Sequence, residues 1–172
     1  MKGLTIFEVL VSVVIFSFIV MAFASAMVAG KGALFVSDIP TQLRQNVIFS
    51  IMTIVRELRQ TAPAKTNLNE GASNNTITFK VPHDNNADGI IVDNIGNIEW
   101  GDDITYARNG LGQLTRSSGG STLVIAPNIA SLQFSRPAGQ DALITIVISA
   151  EKADSQDKLY SDSEQTKVKM RN

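Results

Sequence analysis

Glu8 is the residue whose setting most needs a chemical explanation. It follows Leu4-Thr5-Ile6-Phe7 and precedes a run from Val9 to Gly30 without a single charge. A carboxylate in a bilayer costs on the order of 2.5–3.5 kcal/mol unless paired, so an acid kept there calls for a partner. A second candidate is Asp84-Asn85-Asn86-Ala87-Asp88-Gly89. Asp84, Asn86 and Asp88 place oxygens at alternate positions and Gly89 permits a sharp turn, the first half of a calcium loop. The position where a Glu would bind bidentately is Ile95, and Asp93 is the nearest other oxygen donor. The same residues also make an ordinary acidic turn. His83 is the only His and there is no Cys, so a metal set cannot be built around it. Ser117-Ser118-Gly119-Gly120-Ser121 lacks the Lys and the strand–helix order of a phosphate loop, and is expected to be a hairpin tip. Trp100 suits either an interface anchor or a core position. No catalytic constellation emerges, so the expectation is a protein that is not an enzyme and that needs no cofactor, with calcium at Asp84, Asn86 and Asp88 the lesser reading beside a plain acidic turn.

Several elements must position these residues. About 20 apolar residues at 1.5 Å per residue cross a bilayer core, and Val9 to Gly30 meets that requirement. Lys2 and Lys31 flank the run on opposite sides, so charge does not orient it. Beyond Pro40 an amphipathic pattern appears, with Leu43, Val47, Ile51, Ile54, Val55 and Leu58 at three-to-four spacing. Arg44, Gln45, Ser50, Arg56, Glu57, Arg59 and Gln60 fill the polar positions, and the pattern ends by Ala62-Pro63. Asp38 is a candidate cap. Pro40 leaves two readings open, one helix bent there or two helices in series.

The period then changes to two. Ile77, Phe79 and Val81 alternate with Thr76, Thr78 and Lys80, as in a half-buried strand. Further short strands are expected at 90–92, 98–100, 104–107, 122–125 and 131–134. The most apolar runs from Ala142 to Ala150, with Ile144, Ile146 and Ile148 on one face. Asn109-Gly110 signals a hairpin leading to a strand through Leu114. Thr66 to Asn75 and Glu151 to Gln165 are polar and read as loops. Lys167 to Arg171 alternates again, as a charged last edge strand would. Helix first and hairpin-spaced strands after predict an α+β fold with an antiparallel sheet. The chain has 172 residues and a net charge of −1, which gives no electrostatic case for nucleic acid. Without Cys the domain must rest on its core alone.

Gly3-Leu4-Thr5-Ile6-Phe7-Glu8 resembles the processing motif of type IV pilins and pseudopilins. The resemblance implies a leader of residues 1–3, cleavage by a prepilin peptidase between Gly3 and Leu4, and N-methylation of Leu4. It implies a long N-terminal helix, transmembrane over 4–30 and amphipathic over 31–62, whose second half packs on the antiparallel sheet of a β-rich periplasmic or extracellular domain over 63–172. The N-terminus would be cytoplasmic and the protein held in the bacterial inner membrane until assembly. In that family Glu8 would pair with the Leu4 amine of a neighbouring subunit. The implied partners are other pilin or pseudopilin subunits, the peptidase, an inner-membrane assembly platform and lipid. Arg56-Glu57-Leu58-Arg59, Ile104-Thr105-Tyr106 with Leu114-Thr115-Arg116, Ala126-Pro127-Asn128-Ile129 with Leu132-Gln133-Phe134, and Val168-Lys169-Met170-Arg171-Asn172 are similar to minor pseudopilins of the J type and to W-type minor pilins. That branch implies a minor subunit of a type II secretion pseudopilus, or a minor pilin of a type IV pilus or competence system.

Two other readings of the N-terminus stay open. One is a plain signal anchor whose Glu8 reaches the interface. The other is a secretory signal cleaved near Ala24-Ser25-Ala26, although the apolar run exceeds the usual 7–15 residues. Either would make the chain an anchored or secreted β-rich binding module that joins no filament.

Overall fold

The computed structural model describes residues 5–171, with side chains described outside 29–37. One helix, α1, covers Ile6–Leu58, with Pro40 inside it. Asp38 therefore lies within helical backbone and does not cap a helix start. Two compact units divide the chain, Met1–Ile39 and Pro40–Asn172.

In the first unit, Ile6–Val28 has a mean hydropathy of 2.7 over 23 residues and none of it is buried. That stretch is long and apolar enough to cross a membrane. Its hydroxyls are satisfied within the helix: Ser12 Oγ donates to the Glu8 carbonyl at 2.7 Å and Ser17 Oγ to the Val13 carbonyl at 2.8 Å. Polar groups bonded to their own helix ask nothing of lipid.

In the second unit, the helical stripe is buried as its spacing requires, apart from Val55, which is half-buried. Leu43, Val47, Ile54 and Leu58 are fully inaccessible and Ile51 nearly so. Ser50 departs from expectation. It is buried, and its hydroxyl is satisfied by the Asn46 carbonyl at 2.6 Å. Helical backbone stops at Leu58, short of Ala62-Pro63, and a 3-10 turn follows at Pro63–Lys65.

Eight strands follow: β1 Ser73–Asn74, β2 Thr76–Phe79, β3 Ile104–Arg108, β4 Leu114–Ser118, β5 Ser121–Ala126, β6 Ile129–Ser135, β7 Leu143–Ala153 and β8 Leu159–Lys169. They form two four-stranded antiparallel sheets, ordered β2-β3-β4-β5 and β1-β6-β7-β8, where a single sheet was expected. The α+β class stands. Ile77, Phe79, Ile104, Tyr106 and Leu114 bury the inner face of the first sheet. Phe134, Ile144, Ile146, Ile148 and Val168 bury that of the second.

Three local expectations fail for physical reasons. Glu151 to Gln165 is not a loop, because β7 continues to Ala153 and β8 pairs with it from Leu159 onward. The β8 sequence is polar because it is an edge strand with one solvated face. Segments 90–92 and 98–100 form only isolated bridges, Val92↔Ile98 and Pro82↔Trp100. There Asp93 accepts from the Ile95 and Asn97 N–H groups, diverting the backbone from a ladder. Thr66 to Asn75 ends in the short β1.

The turns differ as well. Asn109-Gly110 opens a five-residue connection in which the Asn109 side chain accepts from the Leu111 and Gln113 N–H groups. The two-residue hairpin turn is instead Gly119-Gly120, at φ 56° and 79°. Glycine at both positions adopts two successive positive φ values at no steric cost, as a type I′ turn demands.

Candidate functional site

Thr5 and Glu8 cap the start of α1 reciprocally. The Thr5 N–H donates to Glu8 Oε2 at 2.9 Å, the Thr5 hydroxyl donates to the same oxygen at 3.1 Å, and the Glu8 N–H donates to Thr5 Oγ1 at 3.3 Å. This is a capping box, a Thr at the N-cap with a Glu three residues on, and it satisfies helix-end donors that have no carbonyl to meet. The partner sought for Glu8 is thus found first within its own chain. The signal was present in the sequence as Thr-x-x-Glu ahead of an apolar run, and a search for charged partners overlooks it. Gly3 and Leu4, the expected cleavage and methylation positions, lie outside the described residues.

A second cluster joins distant parts of the globular unit. Glu57, in the last turn of α1, accepts from the Tyr106 hydroxyl at 2.8 Å and from Arg116 Nε at 3.0 Å and 3.2 Å. Tyr106 comes from β3 and Arg116 from β4, opposite one another in register. Burial, and then the hydrogen bond to Glu57, push the Tyr106 hydroxyl well above its ordinary pKa. A buried phenol that donates to a carboxylate, itself paired with an arginine, joins the last turn of α1 to β3 and β4. Glu57, Tyr106 and Arg116 lie in three separate segments of the chain, and their convergence was not legible in the sequence.

The acidic turn bonds to itself. Asp84 Oδ2 accepts from the Gly89 N–H at 2.7 Å and Asp84 Oδ1 from the Asp88 N–H at 3.3 Å. Asp88 Oδ1 accepts from the Ile90 N–H, Asp88 Oδ2 from Asn86 Nδ2, and Asn86 Oδ1 from the Asp88 N–H. Chiefly through the Gly89 N–H, the Asp84 carboxyl is held below the ordinary carboxylate range. The candidate calcium ligands Asp84, Asn86 and Asp88 are therefore together in space with each oxygen already accepting a hydrogen bond. Among the described residues no three His, Cys, Asp or Glu side chains converge as a metal set.

His83 is exposed, with Nδ1 2.8 Å from the Asp84 carbonyl. Trp100 is half-buried and carries the Lys65 ammonium 5.6 Å above its ring. Ser117 to Ser121 forms the hairpin tip between β4 and β5. One feature with no signal in the polar pattern is an exposed apolar strip on α1, made of Ile48, Phe49 and Met52.

No protein-family model, characterised protein or solved structure matches this chain. What stands is the coarse class: an α+β protein with an N-terminal helix of membrane-spanning length.

Proposed function

We propose that the chain is a pilin-like structural subunit, cleaved between Gly3 and Leu4, methylated on Leu4 and built into a filament through α1. The observation that carries this is one acid, Glu8, at the head of an otherwise uncharged apolar helix, directly after Gly3-Leu4-Thr5-Ile6-Phe7. In this reading α1 rests in lipid before assembly and against neighbouring helices afterwards. Its second half lies on the sheet, supported by the Glu57 bonds to Tyr106 and Arg116, and leaves Ile48, Phe49 and Met52 outward for neighbours. On assembly the Leu4 amine of an adjacent subunit replaces the neutral Thr5 donors on Glu8, so that the donor as well as the acceptor is charged. Within this class we favour a minor subunit of a type II secretion pseudopilus, with a minor pilin of a type IV pilus as the near alternative.

The intact mass and N-terminal sequence of the protein taken from its own membranes test the proposal. A chain beginning at methylated Leu4 supports it. A chain beginning after Ala26 makes it a secreted domain, and an uncut Met1 makes it a plain anchor, so either result overturns it.

A further inference from the structure

Between β2 and β3 the chain folds back on itself as a tongue, residues 81–101. The Gly101 N–H donates to the Val81 carbonyl and the His83 N–H to the Glu99 carbonyl, which closes its base. Its tip is the turn Asp93-Asn94-Ile95-Gly96-Asn97. The Asp93 N–H donates to the Asn97 carbonyl, the Gly96 N–H to the Asp93 carbonyl, and Asp93 Oδ1 accepts from the Ile95 and Asn97 N–H groups. Asp, Asn and Gly are residues that such a turn uses, and Ile is not. Yet Ile95 stands within it 78% exposed, and Ile90 on the same tongue is 58% exposed. An isoleucine held in water on a turn fixed by its own hydrogen bonds is a pre-organised anchor that its own chain does not cover.

The tongue also concentrates negative charge. Residues 84–103 contain Asp84, Asp88, Asp93, Glu99, Asp102 and Asp103 and no Lys or Arg. The whole chain carries −1, so the remainder carries +5. Of the six acids only Asp103 meets a cation among the described residues, Lys80 at 3.8 Å. The strip on α1 has the opposite character. Phe49 and Met52 are 58% and 65% exposed and Ile48 is exposed beside them. At about 3.6 residues per turn they share one side of the helix with Arg44, Arg56 and Arg59. Those arginines are exposed, and among the described residues none forms an ion pair. From Pro40 to Gln60 the only acid is Glu57, whose carboxylate is taken by Tyr106 and Arg116.

We propose that the tongue of one copy docks on the α1 strip of a neighbouring copy, with Ile95 seated between Phe49 and Met52 and the strip's arginines facing the tongue's acids. Charge selects this pairing from those available to two copies. Tongue against tongue opposes acids, and strip against strip opposes arginines. Tongue against strip joins apolar groups and opposite charges in one contact. The contact is heterologous, so each copy gives its tongue to one neighbour and its strip to another, and the row does not close at two. The inference rests on the reading of α1 as the surface that neighbouring subunits meet, and adds which element meets it. A few side chains make a weak contact by themselves, and confinement of the copies by their apolar spans supplies the effective concentration it needs.

Two differently tagged full-length chains, each with one introduced thiol, test the contact, because the chain itself has no Cys. Ile95→Cys and Met52→Cys, co-expressed and oxidised in native membranes, are expected to form a disulfide heterodimer. Each variant expressed alone is expected to stay monomeric, since its thiol then faces a surface without one. Leu111→Cys, exposed on another turn, should not replace Met52→Cys as the partner of Ile95→Cys. Adding Arg44→Glu and Arg56→Glu to the Met52→Cys chain should abolish the heterodimer, whereas Arg44→Lys with Arg56→Lys should keep it. Unchanged circular dichroism shows that these surface variants are folded. If either thiol cross-links as readily with itself, or Leu111→Cys as readily as Met52→Cys, the products are collisional and the proposal falls. It falls equally if the mixture stays monomeric, if the glutamate chain cross-links as well as the lysine chain, or if the thiols are trapped on a different protein. The intact mass of the same chains reports cleavage before Leu4 separately. A cleaved chain that fails to cross-link therefore overturns this contact and leaves the filament reading standing.

Discussion

At Glu8 two roles converge on one carboxylate, and substitution can separate them. The reciprocal cap with Thr5 needs an oxygen at this position but not a charge, and Gln serves a capping box as Glu does. Ion pairing with a neighbour's amine needs the charge. If pairing governs assembly, Glu8→Gln should be lost from sheared filaments as completely as Glu8→Val. If the cap alone matters, Gln should behave as wild type and only Val should fail. Immunoblotting of the sheared fraction reads the difference. Glu57 offers a parallel case inside the globular unit. Glu57→Ala leaves the Tyr106 hydroxyl buried without an acceptor and Arg116 without its ion pair. A loss of about 2–4 kcal/mol in urea denaturation is expected, because hydrogen bonds to a charged group are worth about 1.5–3 kcal/mol each. Tyr106 also sets a pH dependence. Its folded pKa is raised, chiefly by burial, so its contribution is complete below the unfolded value of about 10 and is lost as pH climbs beyond it. The wild-type protein should therefore lose stability between about pH 10 and 11 more steeply than Tyr106→Phe, when both are followed by denaturant titration.

At the scale of elements, the two glycine-bearing connections of the first sheet make opposite demands. Gly120 sits at φ +79° with open space where a Cβ would go, so Gly120→Ala strains only the backbone. It should cost about 1–2 kcal/mol, the usual penalty of a left-handed conformation for an L-residue. Gly110 also has open space and does not adopt a positive φ. Gly110→Ala should stay within about 0.5 kcal/mol of wild type. Paired thermal melts of the two variants test this assignment of the tight turn. Asn-Gly is the stronger hairpin signal in sequence, and here it is bypassed because the Asn109 side chain organises a longer loop. A one-sided pattern likewise hid β8. Its outward positions are Ser161, Ser163, Gln165, Lys167 and Lys169, and strand propensity at an exposed edge follows its neighbours more than its own residues.

For the molecule as a whole, the division at Ile39/Pro40 has a direct consequence. The unit from Pro40 onward holds both sheets and the buried helical residues Leu43, Val47, Ile54 and Leu58. Expressed from Pro40 without the apolar span, it should be soluble and unfold in one cooperative transition. Near-ultraviolet circular dichroism of Trp100 and Tyr106 during thermal melting would check this. A non-cooperative melt would mean that the core needs the preceding segment.

Much of this protein follows from its sequence because the decisive terms are local. The uncharged run to Gly30 makes a membrane-length helix whatever surrounds it, since lipid demands that backbone groups be satisfied internally. The three-to-four spacing from Leu43 to Leu58 and the alternation at Ile144, Ile146 and Ile148 mark buried faces, because helix and strand periods are fixed by backbone geometry. Tertiary structure alone decided what depends on distant residues meeting. Glu57 finds Tyr106 and Arg116 across 49 and 59 residues of chain. Division into two sheets and the pairing of polar β8 with apolar β7 are likewise set by which strands become neighbours. A strand's own pattern says which face it buries, and says nothing of whose backbone its hydrogen bonds will reach.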